Sequence, residues 1–129
     1  MNILALMIGG FLGTLLRYGL SLWIPSVGAF PLPILLINWA GCLFLGWLLT
    51  VSAIRNLPSS VRLGAGTGFT GAFTTFSTFT VQTVDAIHNG HLAAALSYLL
   101  ASLIGGLLMA WAGVALGQKA RNSKAGESK

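Results

Sequence analysis

Apolar residues run along this chain in four long stretches, and most charged residues lie in the short joints between them and in the tail. The stretches cover residues 3–24, 32–54, 61–87 and 92–116. A membrane-spanning helix needs about 20 apolar residues, so each stretch predicts one span. The joints are short, which makes neighbouring spans antiparallel. The pattern predicts an all-α membrane protein with four transmembrane helices, occupying residues 1–118 as one unit. Residues 119–129 are expected to form a polar, disordered tail. The third stretch departs from the others. Nine of the residues 67–83 are Thr, Ser or Gln, and Gly68 and Gly71 lie among them. Glycine weakens a helix, and hydroxyl side chains offer the backbone competing hydrogen bonds. Irregular backbone at membrane depth persists only where it is buried in protein or lines a wet cavity. Residues 68–79 therefore predict a helix broken near its middle, beside a bound or permeant ion.

Composition narrows the classes. Of 129 residues, 55% are hydrophobic and 7% charged, and the mean hydropathy is +0.83. Soluble domains carry roughly 25% charged residues, so an ordinary soluble core is excluded. The net charge of +5 would suit nucleic acid, but the basic residues flank the spans, where topology explains them. Arg55, Arg62, Lys119, Arg121, Lys124 and Lys129 fall on one side of the membrane, and the joints on the other side carry none. The positive-inside rule then predicts both termini in the cytoplasm. The basic tail also suits contact with anionic lipid. Met1-Asn2 brings no basic side chain and the first apolar run is long for a signal peptide, so it is expected to remain as the first helix. Cys42 has no intrachain partner. His88 and His91 lack the thiolate or carboxylate company that zinc requires.

Within the spans, Gly9 and Gly13 share a helix face and permit close helix approach. Arg17 lies toward the outer end of the first span. It either snorkels to the headgroups or sets a positive charge at an aqueous vestibule. Asn38, in the second span, is either interhelical glue or an amide donor to an anion. Phe76 and Phe79 share one face if the third helix continues, while Phe69, Phe73 and Phe76 also have the spacing of a packing stripe. Tyr98, Ser102, Gly106 and Ala110 recur every four residues, which suits a helix interface or a hydroxyl track beside a pore.

The series Gly9-Gly10, Gly13, Arg17-Tyr18, then Asn38 and Gly41, then Gly68-Phe69, Gly71, and Thr74-Thr75-Phe76-Ser77-Thr78-Phe79 resembles the Fluc family of small bacterial fluoride channels. The likeness runs through all four spans, and the third-span motif is the specific part. It implies a dimer of four-helix subunits in opposite membrane orientations, in the bacterial inner membrane. It implies two fluoride pathways and a structural sodium ion at the dimer centre. By motif, Phe76 and Phe79 correspond to the pore phenylalanines, Asn38 to the pore asparagine and Arg17 to the basic residue of the first helix. Gly71 and Thr74 fall where backbone carbonyls hold sodium. Tyr98 and Ser102 resemble the fourth-helix polar track, with Thr75, Ser77 and Thr78 as hydroxyl donors. The rim of a phenyl ring is electropositive, so edge-on rings and neutral donors replace the water of fluoride without holding it fast.

The chain departs from the family pattern in three ways. Pro33-Ile34 stand where Gly-Thr is usual. Gln82 stands where many members carry glutamate, which puts an acidic role at the pore mouth in doubt. The one-sided basic charge favours a single orientation, which implies pairing with an oppositely oriented paralogue or a homodimer built from a minority orientation. Two rivals remain. A small multidrug antiporter needs an in-membrane carboxylate, and the spans hold only Asp85, near an end. A non-conducting or partner-dependent subunit would leave the cluster of hydroxyls and phenylalanines without a role. No catalytic constellation occurs, so no enzymatic activity is expected.

Overall fold

A computed structural model of the chain describes residues 2–126. The helices are α1 (Asn2–Trp23), α2 (Leu32–Arg55), α3 (Ser59–Val61), a π-helix (Arg62–Thr70), α4 (Gly71–Phe73), α5 (Phe76–His88) and α6 (Leu92–Gly126). They form four helical runs, because α3, the π-helix, α4 and α5 follow one another as the third. Among the described residues there is no β-strand, only an isolated bridge between Val27 and Phe30. Gly28, at φ +59°, supplies the left-handed residue that turns this joint. Three segments are long and apolar enough to cross a membrane: Asn2–Trp23, Leu32–Arg55 and Leu92–Lys119.

Two seams of small residues hold the runs together. In the first, Gly9 and Gly13 of α1 lie against the backbone of Gly64 and Phe69 in the π-helix, and Gly68 lies against Leu6. A Cβ at any of these glycines would collide with main chain, so helix packing here is backbone against backbone. In the second, Gly46 of α2 meets the carbonyl of Ala110, and Gly113 of α6 meets that of Leu43. Trp39 donates its indole N–H to the carbonyl of Ala101 at 3.1 Å, and its ring fills the space that the missing side chain of Gly105 leaves. The Gly106–Ala110 part of the every-fourth-residue stripe thus faces α2. Between the seams, Ile34, Ile37 and Phe73 form a buried cluster, with Leu20, Phe69 and Phe79 packed on it.

The third run starts at Ser59, two residues before the expected boundary. α2 ends with Asn56 in the left-handed conformation, φ 48°, and Pro58 directly precedes the new helix. The fourth run continues past residue 116 to Gly126, through most of the segment expected to be disordered. No proline or capping signal stops it, and Gln, Lys, Ala and Arg are good helix formers. Residues 127–129 of that tail lie outside the described residues.

The π-helix has no counterpart in the sequence reading. It spans nine residues, longer than the single turns in which π geometry usually occurs. The hydroxyl of Thr70, which is 3% exposed, donates to the carbonyl of Ala65 five residues earlier at 2.9 Å. Gly64 and Gly68 of this segment lie against the main chain of Ala5 and Leu6 in α1, where a Cβ would be crowded.

Candidate functional site

The third run changes direction at Thr74 and Thr75. Thr74 has φ −82° and ψ 158°, Thr75 has φ −147° and ψ 123°, both extended. Asn38 of α2 holds this point. Its Nδ2 donates to the carbonyl of Thr75 at 3.1 Å, and the Thr75 N–H donates to Asn38 Oδ1 at 2.9 Å. The side-chain amide therefore copies the pairing of a neighbouring strand. Among the described residues the second N–H of Asn38 makes no hydrogen bond, and the two bonds to Thr75 tie α2 to the third run.

The threonine also caps α5. Its Oγ1 accepts from the Thr78 N–H at 3.2 Å and donates to Thr78 Oγ1 at 3.0 Å. Ser77 Oγ lies 3.3 Å from the same atom. An N-cap hydroxyl satisfies a helix N–H that lacks a partner. These hydroxyls, expected as donors to an ion, are thus partly committed to the helix start.

Both captures have a consequence for main-chain carbonyls. In an unbroken helix the N–H of residue i bonds to the carbonyl of residue i−4. The Thr75 N–H would go to Gly71 but goes to Asn38. The Thr78 N–H would go to Thr74 but goes to the Thr75 hydroxyl. Gly71 and Thr74, the residues expected to offer carbonyls to sodium, each lose that helical donor.

A cavity of about 300 Å³ lies beside the turn. Asn38, Thr74, Thr75, Phe76, Phe79 and Ser102 face it. No charged residue lines it. Ser102 Oγ is buried and lacks a hydrogen-bond partner, a group that costs free energy until a ligand or water bonds to it. Phe76 and Phe79 are paired, with ring centroids 5.8 Å apart. Phe76 leaves the packing stripe suggested by its spacing: Phe69 and Phe73 stack on each other at 5.6 Å, whereas Phe76 is 79% exposed. Cys42 and Thr70, unremarked in the sequence for this purpose, also face the cavity.

Arg17 lines a separate cavity of about 470 Å³ with Tyr18, Ser21, Ser26, Thr78 and Gln82. Its Nε is buried without a hydrogen-bond partner, and no carboxylate pairs with it among the described residues. Adjacent residues of α5 thus serve different cavities, Thr78 this one and Phe79 the central one. Tyr98 faces neither. It is 1% exposed, packs on Phe79 with centroids 5.1 Å apart, and donates its hydroxyl to Gln82 Oε1 at 3.2 Å. Ser77 lines neither cavity. Gly71 lines another cavity, of about 560 Å³, together with Arg62.

In the sequence Gln82 stands out only as a departure from a family pattern. The spacing Phe79–Gln82 is the available signal, since residues three apart share a helix face.

Comparison with known proteins adds to this geometry. Residues 4–114 match the family model described as CrcB-like protein, Camphor Resistance (CrcB). The chain is 51% identical over 113 residues to Fluoride-specific ion channel FluC 1 of Bacillus thuringiensis subsp. konkukian, covering 85% of this chain and 82% of that protein. It is 43% identical over 126 residues to Fluoride-specific ion channel FluC 2 of Geobacillus kaustophilus, covering 95% and 98%. It is 50% identical over 107 residues to Fluoride-specific ion channel FluC 2 of Moorella thermoacetica, covering 81% and 87%.

Proposed function

The chain belongs to the CrcB-like family, and on that premise we propose that it is a passive fluoride channel that lets fluoride leave the bacterial cytoplasm and so lowers fluoride toxicity. The observation that carries this reading is the central cavity. Around a turn in the third run it gathers two phenyl rings, a half-free asparagine amide and an unpartnered serine hydroxyl, with no charged residue. Fluoride surrenders its water only to groups that replace it. Ring edges and neutral donors do so, and they also let the ion go, as conduction requires. Arg17, in its separate cavity, would raise the local concentration of anions. The only acid in the spans is Asp85, near an end of the third, which supports passive flow over proton coupling.

The working form we infer is a dimer of oppositely oriented subunits with two pores. Phe76 is widely exposed beside the cavity, so a second subunit would complete the wall. The carbonyls of Gly71 and Thr74 have lost their helical donors. They suit a hard cation such as sodium, which takes oxygen ligands, and two copies would double the ligand set. The described residues contain no group of His, Cys, Asp and Glu fit for a transition metal. Both termini would face the cytoplasm.

The test is fluoride efflux from liposomes, read with a fluoride electrode, with chloride as control. The expected result is fast efflux selective for fluoride, reduced by about tenfold or more in Phe76→Ile and Phe79→Ile, because an aliphatic side chain has no electropositive rim. Unchanged flux in both variants would favour the scaffold-subunit reading. Efflux that appears only when a paralogue is co-reconstituted would mark the chain as one half of a heterodimer.

A further inference from the structure

Cys42 is the one cysteine of the sequence. Its thiol is free and partly exposed, and it lines the central cavity. That cavity follows one face of α2, along Asn38, Gly41, Cys42 and Leu45, residues whose spacing of three and four keeps them on one side of a helix. At 1.5 Å per residue the face is about 10 Å long, and Cys42 stands about 6 Å along it from Asn38. Ser102 of α6 lines the same cavity. Its Oγ is buried without a hydrogen-bond partner, so it gains from any species that enters and offers it a bond.

The packing around the Cys42 sulfur decides where an added group would go. The seam between α2 and α6 is closed on both sides of it. Toward the start of α2, the ring of Trp39 occupies the place of a Gly105 side chain, and toward the end, Gly46 meets the main chain of Ala110. Across from the thiol stands Gly106, where a Cβ would come to 3.6 Å from Sγ. A group attached to Sγ therefore cannot slide along the seam and projects into the cavity. No charged residue lines that space. A charged reagent would surrender its hydration there without an ionic partner, whereas a small neutral one would not.

We propose that Cys42 is a thiol-modification site within the central cavity, that it takes small neutral thiophilic electrophiles, and that the adduct occludes the fluoride route. The occlusion rests on the channel reading, and the modification does not. Methyl methanethiosulfonate serves as the probe. The thiol gives its proton to water, and the thiolate attacks the sulfur that bears the methyl group. A disulfide forms between Sγ and that sulfur, the bond from it to the sulfonyl sulfur breaks, and methanesulfinate leaves with the electron pair. No further oxidant or reductant takes part.

The test treats the whole protein in liposomes with methyl methanethiosulfonate and reads two quantities, intact mass and fluoride efflux. The expected result is one methylthio group per chain, a fall in efflux of about tenfold, and recovery of both on addition of dithiothreitol. In Cys42→Ser, and in Cys42→Ala as a second variant, the reagent should add no mass and leave efflux at the value of the same variant untreated. A thiosulfonate carrying a trimethylammonium group should react severalfold more slowly than the neutral probe. Equal rates for the two reagents would put the thiol in bulk water and overturn the cavity site. Absence of the adduct in protein that conducts would overturn the modification. One adduct per chain with unchanged efflux would overturn the occlusion. A wild type that passes no fluoride, alone or with a cysteine-free paralogue, would overturn the channel reading and the occlusion together, while the mass still decides whether the thiol is a modification site.

Discussion

Asn38 makes two hydrogen bonds to one residue, the amide-to-backbone pair with Thr75, and that pair explains why the third run turns where it does. Thr75 is extended, and an extended residue inside a helical run leaves its N–H and carbonyl without helical partners. Asn38 supplies both at 2.9 and 3.1 Å. Asn38→Ala removes both, leaving a part-buried donor and acceptor unpaired, where a fully buried one would cost about 1–3 kcal/mol. The expected outcome is a fall of several degrees in the melting temperature of the purified protein and loss of fluoride flux. Asn38→Asp should be destabilised as well, because it keeps the bond from the Thr75 N–H but turns a second acceptor toward the Thr75 carbonyl and places a charge inside a span. An unchanged melting temperature for Asn38→Ala would refute the pinning role. At this scale the sequence was legible for residue type only. An asparagine inside an apolar span announces a polar partner, but the partner lies 37 residues away, and no periodicity links the two. The same limit hid the Tyr98–Gln82 bond. Both residues stand out as polar in apolar helices, and only the packing of α5 on α6 joins them.

Among the elements, stretch length and hydropathy sufficed for α1, α2 and α6, because a run of apolar residues this long has few other fates in or near a membrane. The π-helix was not legible. Its nine residues hold three glycines, and a change from 3.6 residues per turn to a wider winding leaves no clear mark over so short and side-chain-poor a segment. Glycine placement nonetheless carries an element-level message. Gly9 and Gly13 predict close approach, and the structure supplies the surface approached, the main chain of the π-helix. Gly13→Val would drive a side chain into the Phe69 carbonyl and the Phe73 N–H, parting α1 from the third run and shifting the Phe69–Phe73 stack. Gly19, on the same helix, has open space where its Cβ would be. Gly13→Val should therefore aggregate or elute abnormally on size-exclusion chromatography, whereas Gly19→Val should behave as wild type. Equal behaviour of the two variants would mean that the α1 seam does not hold the third run in position.

For the whole molecule, the decisive features are the uneven charge and the uncovered apolar faces. Large apolar side chains such as Phe11, Leu107 and Trp111 stand exposed along α1 and α6, as lipid or a second subunit would require. Which of the two covers which face is not written in one chain, because burial by lipid and burial by protein select the same residues. Charge is more specific. Six of the seven Lys and Arg residues lie around the second joint and in the C-terminal tail, and the other two joints carry none. Each basic residue opposes translocation of its own loop. A subunit built this way is expected to insert with its C-terminus inside, and nearly always so. An antiparallel dimer then requires a partner of opposite bias or draws on a rare inverted population. A C-terminal tag probed in intact cells and in inverted vesicles reads this directly, and it should be protected in the former and accessible in the latter. Replacing Arg55 and Arg62 with Gln removes the positive charge of the second joint. The inverted fraction should then rise, and with it the fluoride efflux obtained without a paralogue. Equal inward and outward populations of the unmodified chain would refute the fixed orientation and, with it, the need for a partner.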